Sequence, residues 1–157
     1  MSNGTVRFRS VNFRNRFIRH QNFLAELHEI TDDLARHDAS FVFHPGLAGE
    51  FGEGTGSYEA VNFPNFLLRH QDFRLKLQER PRDGDPAQRQ FDLDACFAIV
   101  KGLAPAPPGS TGPIHSFRSV NFNTMCLRHR ASHLFLTEIN TDLDRSDATF
   151  EMLDGFV

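Results

Sequence analysis

One phrase, written three times, constrains this chain more than any other feature. It reads Ser10-Val11-Asn12-Phe13 through Ile18-Arg19-His20, then Ala60-Val61-Asn62-Phe63 through Leu68-Arg69-His70, then Ser119-Val120-Asn121-Phe122 through Leu127-Arg128-His129. Asn and His stand eight residues apart in every copy, and the Arg-His ending never varies. Self-similarity at a fixed period means one supersecondary unit built several times, because a single unit cannot bury its own apolar face.

The agreement runs well beyond the phrase. An aromatic precedes each Asn by four residues (Phe8, Tyr58, Phe117), and a leucine follows each His by seven (Leu27, Leu77, Leu136). Each copy closes on the same pattern: Asp38-Ala39-Ser40-Phe41, Asp94-Ala95-Cys96-Phe97 and Asp147-Ala148-Thr149-Phe150. Gly46, Gly102 and Gly155 each follow eight residues after that Asp. The repeats therefore run over about 5–48, 56–104 and 115–157 of a single domain spanning 1–157. Gly- and Pro-rich stretches at 49–56 and 105–113 read as the loops between them. His and Asp are 18 residues apart in the first and third copies and 24 in the second. The six extra residues are expected near Pro81-Arg82-Asp83-Gly84-Asp85-Pro86, a turn-rich surface loop.

Local pattern pulls in two directions. Phe23, Leu24, Leu27, Ile30 and Leu34 have helical spacing, which suggests a helix through 23–35. The matching stretch of the second copy holds Pro81, Gly84 and Pro86, which a helix interior does not tolerate, so a helix there is at most a local decoration. Elsewhere the alternation of Val6, Phe8 and Ser10, of Ile18 and His20 against Arg19 and Gln21, and of Phe41 and Phe43 fits short strands. Three repeats of about four strands each point to an all-β protein, a β-trefoil in which matching Phe, Leu and Val side chains meet on a threefold axis. Three propeller blades fall below the usual closure number.

Composition narrows the function. Net charge is −3, with no basic run dense enough for nucleic acid or an anionic membrane surface. No apolar run reaches transmembrane length, and Met1-Ser2-Asn3-Gly4-Thr5 does not read as a leader peptide. That start implies a cytoplasmic protein if the chain is complete, and an extracellular one if it is a piece of a secreted protein. There are 17 Phe but one Tyr and no Trp, so most rings are expected to be core. Cys96 and Cys126 occupy non-equivalent positions, which favours buried free thiols over a disulfide.

These residues resemble a known family. Ser-Val-Asn-Phe, hydrophobic-Arg-His, Asp-Ala-Thr-Phe and Gly-Leu are similar to the arabinose-binding domain of α-L-arabinofuranosidase B, carbohydrate-binding module family 42. The resemblance covers nearly the whole chain, three times over, and implies a β-trefoil. It implies recognition of terminal arabinofuranose on arabinoxylan or arabinan, one sugar per repeat, through the His of Arg-His and the Asp of Asp-Ala. Carried over, the pairs are His20 with Asp38, His70 with Asp94, and His129 with Asp147. It also implies that one subdomain often stays empty and that a catalytic domain usually accompanies this one. Two departures stand out. Ser132 replaces Phe23 and Phe73 in the third copy, and Cys96 with a longer loop marks the second.

The chemistry suits a furanose. A carboxylate accepts strong charge-assisted bonds from neighbouring hydroxyls, an imidazole donates or accepts beside it, and an apolar wall covers the ring. Asn22, Phe23, Asp72 and Phe73 are expected as secondary contacts. The residues alone favour a scaffold, and only the resemblance turns His and Asp toward sugar: Asp would cap turns or pair with Arg19, Arg69 and Arg128, His would be buried in the core, and Asn12, Asn62 and Asn121 would serve turns. If the sugar reading holds, replacing His or Asp in one repeat is expected to remove one site and leave the fold intact. The alternatives are a protein-interaction trefoil or a lectin for another sugar. A glycosidase is disfavoured because each repeat offers one recurring carboxyl where hydrolysis usually needs two. No cofactor is implied. Nor is a metal: His37 and His44 lie near Asp38 without short ligand spacing.

Overall fold

The computed structural model describes residues 4–157. Its elements run strand, strand, strand, short helix, strand, and this order is traversed three times. The first pass comprises β1 (Thr5–Ser10), β2 (Phe17–Gln21), β3 (Leu24–His28), α1 (Asp33–Asp38) and β4 (Phe41–Pro45). The second comprises β5 (Thr55–Ala60), β6 (Phe66–Gln71), β7 (Arg74–Glu79), α2 (Gln88–Asp94) and β8 (Phe97–Lys101). The third comprises β9 (Ile114–Ser119), β10 (Met125–Arg130), β11 (His133–Glu138), α3 (Asp142–Asp147) and β12 (Phe150–Asp154).

The protein is all-β, with its strands paired antiparallel. The first strand of each pass pairs with the last strand of the pass before it, as β4–β5, β8–β9 and β12–β1. It also pairs with the last strand of its own pass, as β1–β4, β5–β8 and β9–β12. These six pairings close a ring, which removes the exposed edges an open sheet would present. The second and third strands form hairpins β2–β3, β6–β7 and β10–β11. The hairpins meet one another through β3–β7, β7–β11 and β11–β3.

Each hairpin turns on two residues with positive φ: Asn22 and Phe23 (54° and 61°), Asp72 and Phe73 (52° and 61°), Ala131 and Ser132 (51° and 64°). Such mirror-image turns match the twist of the strands they join. The second turn residue also ties the hairpins together. The carbonyls of Phe23, Phe73 and Ser132 accept from the amides of Leu77, Leu136 and Leu27, each at 2.9 Å. Phe23, Leu24 and Leu27 thus belong to a hairpin, and the helix is confined to 33–38. Their helical spacing reflects strand alternation interrupted by a turn. The helix recurs in the second copy, after a largely exposed loop through Pro81–Pro86.

The recurring apolar residues meet in one core. Phe8, Tyr58 and Phe117 pack edge to face around a common centre, with centroids 5.0, 5.4 and 6.0 Å apart. Phe41, Phe97 and Phe150 and the three leucines complete the core. The recurring Gly has a steric cause. A Cβ on Gly46 or Gly155 would lie 2.3 or 2.1 Å from Oγ1 of Thr55 or Thr5, and one on Gly102 would lie 2.6 Å from Ile114 Cγ2. Each glycine lets the end of one repeat pass the first strand of a repeat beside it. Cys96 and Cys126 are buried and free.

Candidate functional site

The Arg-His phrase lies on β2, β6 and β10, and each helix packs against one of these strands: α1 on β2, α2 on β6, α3 on β10. Each helix ends on the recurring Asp and so brings a carboxylate to the strand. The N-terminal ends differ. Asp32 caps α1 by accepting from the Ala35 amide, and Thr141 with Asp144 forms a capping box on α3. Ala87 gives α2 no side-chain cap. The C-terminal ends coincide because Ala39, Ala95 and Ala148 are wholly buried there. The longer loop therefore leaves Asp94 in the same place as its counterparts.

Arg and His of the phrase point to opposite faces of the strand, yet both are buried. Arg19, Arg69 and Arg128 each donate through Nη2 to Oδ2 of Asp38, Asp94 and Asp147. Their Nε atoms donate to the carbonyls of His20, His70 and His129 at 3.3, 3.1 and 3.1 Å. The Arg–Asp pair is thus a buried structural unit, as one reading of the sequence expects.

The other carboxylate oxygen is served from the next repeat. Asn62 Nδ2 donates to Asp38 Oδ1 at 2.8 Å, Asn121 Nδ2 to Asp94 Oδ1 at 2.8 Å, and Asn12 Nδ2 to Asp147 Oδ1 at 2.7 Å. The same asparagines bond the histidines, with His20, His70 and His129 Nε2 lying 2.9, 2.9 and 2.8 Å from Oδ1 of Asn62, Asn121 and Asn12. Each His Nε2 stands 3.6, 3.6 or 3.5 Å from Asp Oδ1, adjacent but not bonded. The expected His–Asp neighbours are brought together, and an Asn from another repeat bridges them. This corrects the turn role expected for the asparagines. In the first and third copies the turn bond is made by serine, as Ser10 and Ser119 Oγ accept from the amides of Phe13 and Phe122 at 3.0 Å.

These bonds fix the protonation pattern. An Asn whose Nδ2 donates to Asp presents its Oδ1 as an acceptor, so the His Nε2 carries a proton and Nδ1 is the acceptor of the neutral ring. Burial pushes the pKa of His20 and His70 down, against the upward pull of the Asn bond and the Asp charge. Burial likewise lowers His129, opposed by Asp147 and reinforced by Arg128 and Arg16. A histidine whose folded pKa is depressed takes up a proton more readily in the unfolded chain. Its contribution to stability is fully present above the unfolded value, near 6.5, and is lost as pH falls from there toward the folded value. Urea unfolding free energies should accordingly decline below pH 6.5, before carboxylates titrate. A flat profile between pH 7.5 and 5.5 would contradict this.

Aromatic rings wall the clusters, again from the following repeat. Phe63, Phe122 and Phe13 lie 5.4, 5.2 and 5.3 Å from the rings of His20, His70 and His129. The expected secondary residues lie at the hairpin tips. Asn22 and Asp72 are exposed, and Phe23 and Phe73, 48% and 50% exposed, stand 5.4 and 5.9 Å from Phe63 and Phe122. An exposed Phe in left-handed backbone has neither burial nor conformation in its favour, a combination that points to a use. In the third copy Ser132 leaves that wall open, and Arg16 enters it. Arg16 donates to Ser132 Oγ at 3.3 Å, with its guanidinium 5.2 Å from the Phe13 centroid.

The first and third clusters open into cavities. One of about 350 Å³ is lined by Arg19, His20, Asn22, Phe23, Leu34 and Asp38, together with Phe63. One of about 450 Å³ is lined by Phe13, Arg128, His129, Leu143, Asp144 and Asp147. Among the described residues no group of three or more His, Cys, Asp or Glu is placed to hold a metal. His37 and His44 are instead bonded to the Asp33 carbonyl and to Glu59, each at 2.8 Å. Among the described residues no helix is long and apolar enough to cross a membrane.

The fold and the site together define an all-β domain of three pseudo-equivalent units, each with a buried Arg–Asp pair and an Asp–Asn–His cluster at its boundary with the next. The chain belongs to the alpha-L-arabinofuranosidase B (ABFB) domain family, whose model matches residues 6–152. Among solved structures it is similar to an arabinofuranosidase complexed with arabinofuranosyl-alpha-1,2-xylobiose, at 26% identity and a TM-score of 0.78, covering 99% of this chain and 32% of that one. A GH54 α-L-arabinofuranosidase soaked with a cyclic sulfate inhibitor matches at 25% identity and a TM-score of 0.79, covering 100% of this chain and 32% of that one. The chain thus spans about a third of the length of these enzymes. The BEL beta-trefoil is similar at 12% identity and a TM-score of 0.62, covering 97% of this chain and 93% of that one. No curated protein sequence matches the chain.

Proposed function

We propose that this domain is a non-catalytic carbohydrate-binding module for terminal arabinofuranose side chains of arabinoxylan or arabinan, with up to one sugar site per repeat on a single β-trefoil. The six-strand ring and its three hairpins support the trefoil reading. The observation that carries the function is the polar cluster beside an apolar wall. At Asp38 and Asp147 a carboxylate oxygen with one lone pair engaged stands next to an imidazole and exposed Phe, at the lip of a cavity of monosaccharide scale. His20, Asp38, His70, Asp94, His129 and Asp147 are the proposed contacts, with Asn22, Phe23, Asp72 and Phe73 secondary. Family membership and the likeness to an arabinofuranosidase complexed with arabinofuranosyl-alpha-1,2-xylobiose support the choice of sugar.

Hydrolysis is poorly served by these clusters. Each recurring carboxylate is engaged by Arg and Asn on its two oxygens, which suits a fixed acceptor rather than a general acid. One monosaccharide buries little area, so each site should bind on the order of tens of micromolar to millimolar. Several sites on one rigid body raise apparent affinity for a branched polymer. Affinity electrophoresis tests the proposal. Retardation by arabinoxylan but not by unsubstituted xylan, relieved by arabinofuranosyl oligosaccharide, is expected. Equal mobility in both gels would overturn it and favour a protein partner or another sugar.

A further inference from the structure

We infer that the second of the three sites is occupied by its own chain, and that Gln90 decides this. The inference rests on reading the clusters as sugar sites. The position four residues before the recurring Asp is Leu34 in α1, Gln90 in α2 and Leu143 in α3. The two leucines line the open cavities and offer the carboxylate nothing to bond. Gln90 Nε2 instead donates to Asp94 Oδ1 at 2.9 Å, on the same oxygen that accepts from Asn121 at 2.8 Å.

A carboxylate oxygen has two lone pairs. Asn takes one in each repeat. At Asp38 and Asp147 the second faces the cavity, whereas at Asp94 Gln90 holds it. A sugar hydroxyl reaching Asp94 must displace this amide, exchanging one bond to a charged group for another, so the contact yields little net affinity. The arrangement is braced. Phe91, next to Gln90, is buried with its ring 5.2 Å from the Arg69 guanidinium, and Asp92 holds Arg80 through two bonds of 2.8 Å. Helix α2 is thereby fixed so that Gln90 faces Asp94. Binding at the second site is expected to be at least about tenfold weaker than at the first.

The test is a titration of the whole domain with methyl α-L-arabinofuranoside, followed by amide shifts. Two saturating sets of shifts are expected, around His20 with Asn62 and around His129 with Asn12. Gln90→Leu should add a third set around His70 and Asn121 and strengthen binding there about tenfold. Leu34→Gln should weaken the first site by a similar factor. Gln90 and Leu34 are exposed, so both variants should keep the wild-type spectrum. Wild-type binding at the second site within threefold of the first would overturn the inference, and so would a folded Gln90→Leu variant that gains no site. Absence of shifts at every cluster would instead overturn the sugar reading on which it rests.

Discussion

Replacing Asp38 with alanine should lower the stability of the whole domain by about 3–5 kcal/mol, the usual result of stranding one member of a buried ion pair. Arg19 is the stranded member. Its guanidinium is buried between α1 and β2, and Asp38 is the carboxylate it meets there. For a domain of this size the loss corresponds to a fall in Tm of roughly 6–20 °C. The carboxylate proposed to contact sugar is also the partner of Arg19, so an Asp substitution is expected to touch both the site and the stability of the domain. The double variant Arg19→Met, Asp38→Leu separates the two roles. It removes both charges, so it should recover most of the stability while the proposed first sugar site stays empty. Urea unfolding and arabinofuranoside titration of the single and double variants give the answer. A single variant within 1 kcal/mol of wild type would show that the pair is not a stabilising unit.

Under the proposed function, Asn12→Ala should empty the third site and leave the first unchanged. Asn12 lies in the first repeat, but its side chain bonds Asp147 and His129 of the third. Losing it frees Asp147 Oδ1 to water and releases the imidazole from its fixed tautomer, so affinity at that site should fall at least about tenfold. The cost in stability should stay near about 1 kcal/mol, because the abandoned groups face a cavity that water can enter. Asn62→Ala should do the same to the first site, through Asp38 and His20. Amide shifts resolved by site decide the matter. Loss of the first site in Asn12→Ala, with the third intact, would mean that each repeat binds with its own asparagine.

Much of the molecule is legible in the chain. The threefold phrase, the Phe and Leu at matching positions and the strand alternation require three similar strand units around a shared core, because the periodicity of buried side chains is written directly into the order of residues. The same repetition singles out His, Asp and Arg, and it singles out Gly46, Gly102 and Gly155 without giving their reason. That reason is tertiary: a Cβ would lie 2.1–2.6 Å from the first strand of the next repeat, which for Gly155 is the first repeat.

Other features depend on the closed ring. Asn12 and His129 are 117 residues apart, and no spacing within a repeat relates them. They meet because β12 pairs with β1, so the last unit is completed by the first. The helices also escape local pattern. Their six or seven residues are too few to stand alone, and packing against β2, β6 and β10 holds them in place. Gln90 was equally mute, one polar residue on an exposed helix face, until the fold set it against Asp94. The sequence by itself determined which residue types recur and therefore what kind of unit is built. Tertiary structure decided which repeat lends its asparagine to which site and which carboxylate keeps a free lone pair, because hydrogen bonds depend on distance and direction in space, which the linear order records only within a unit.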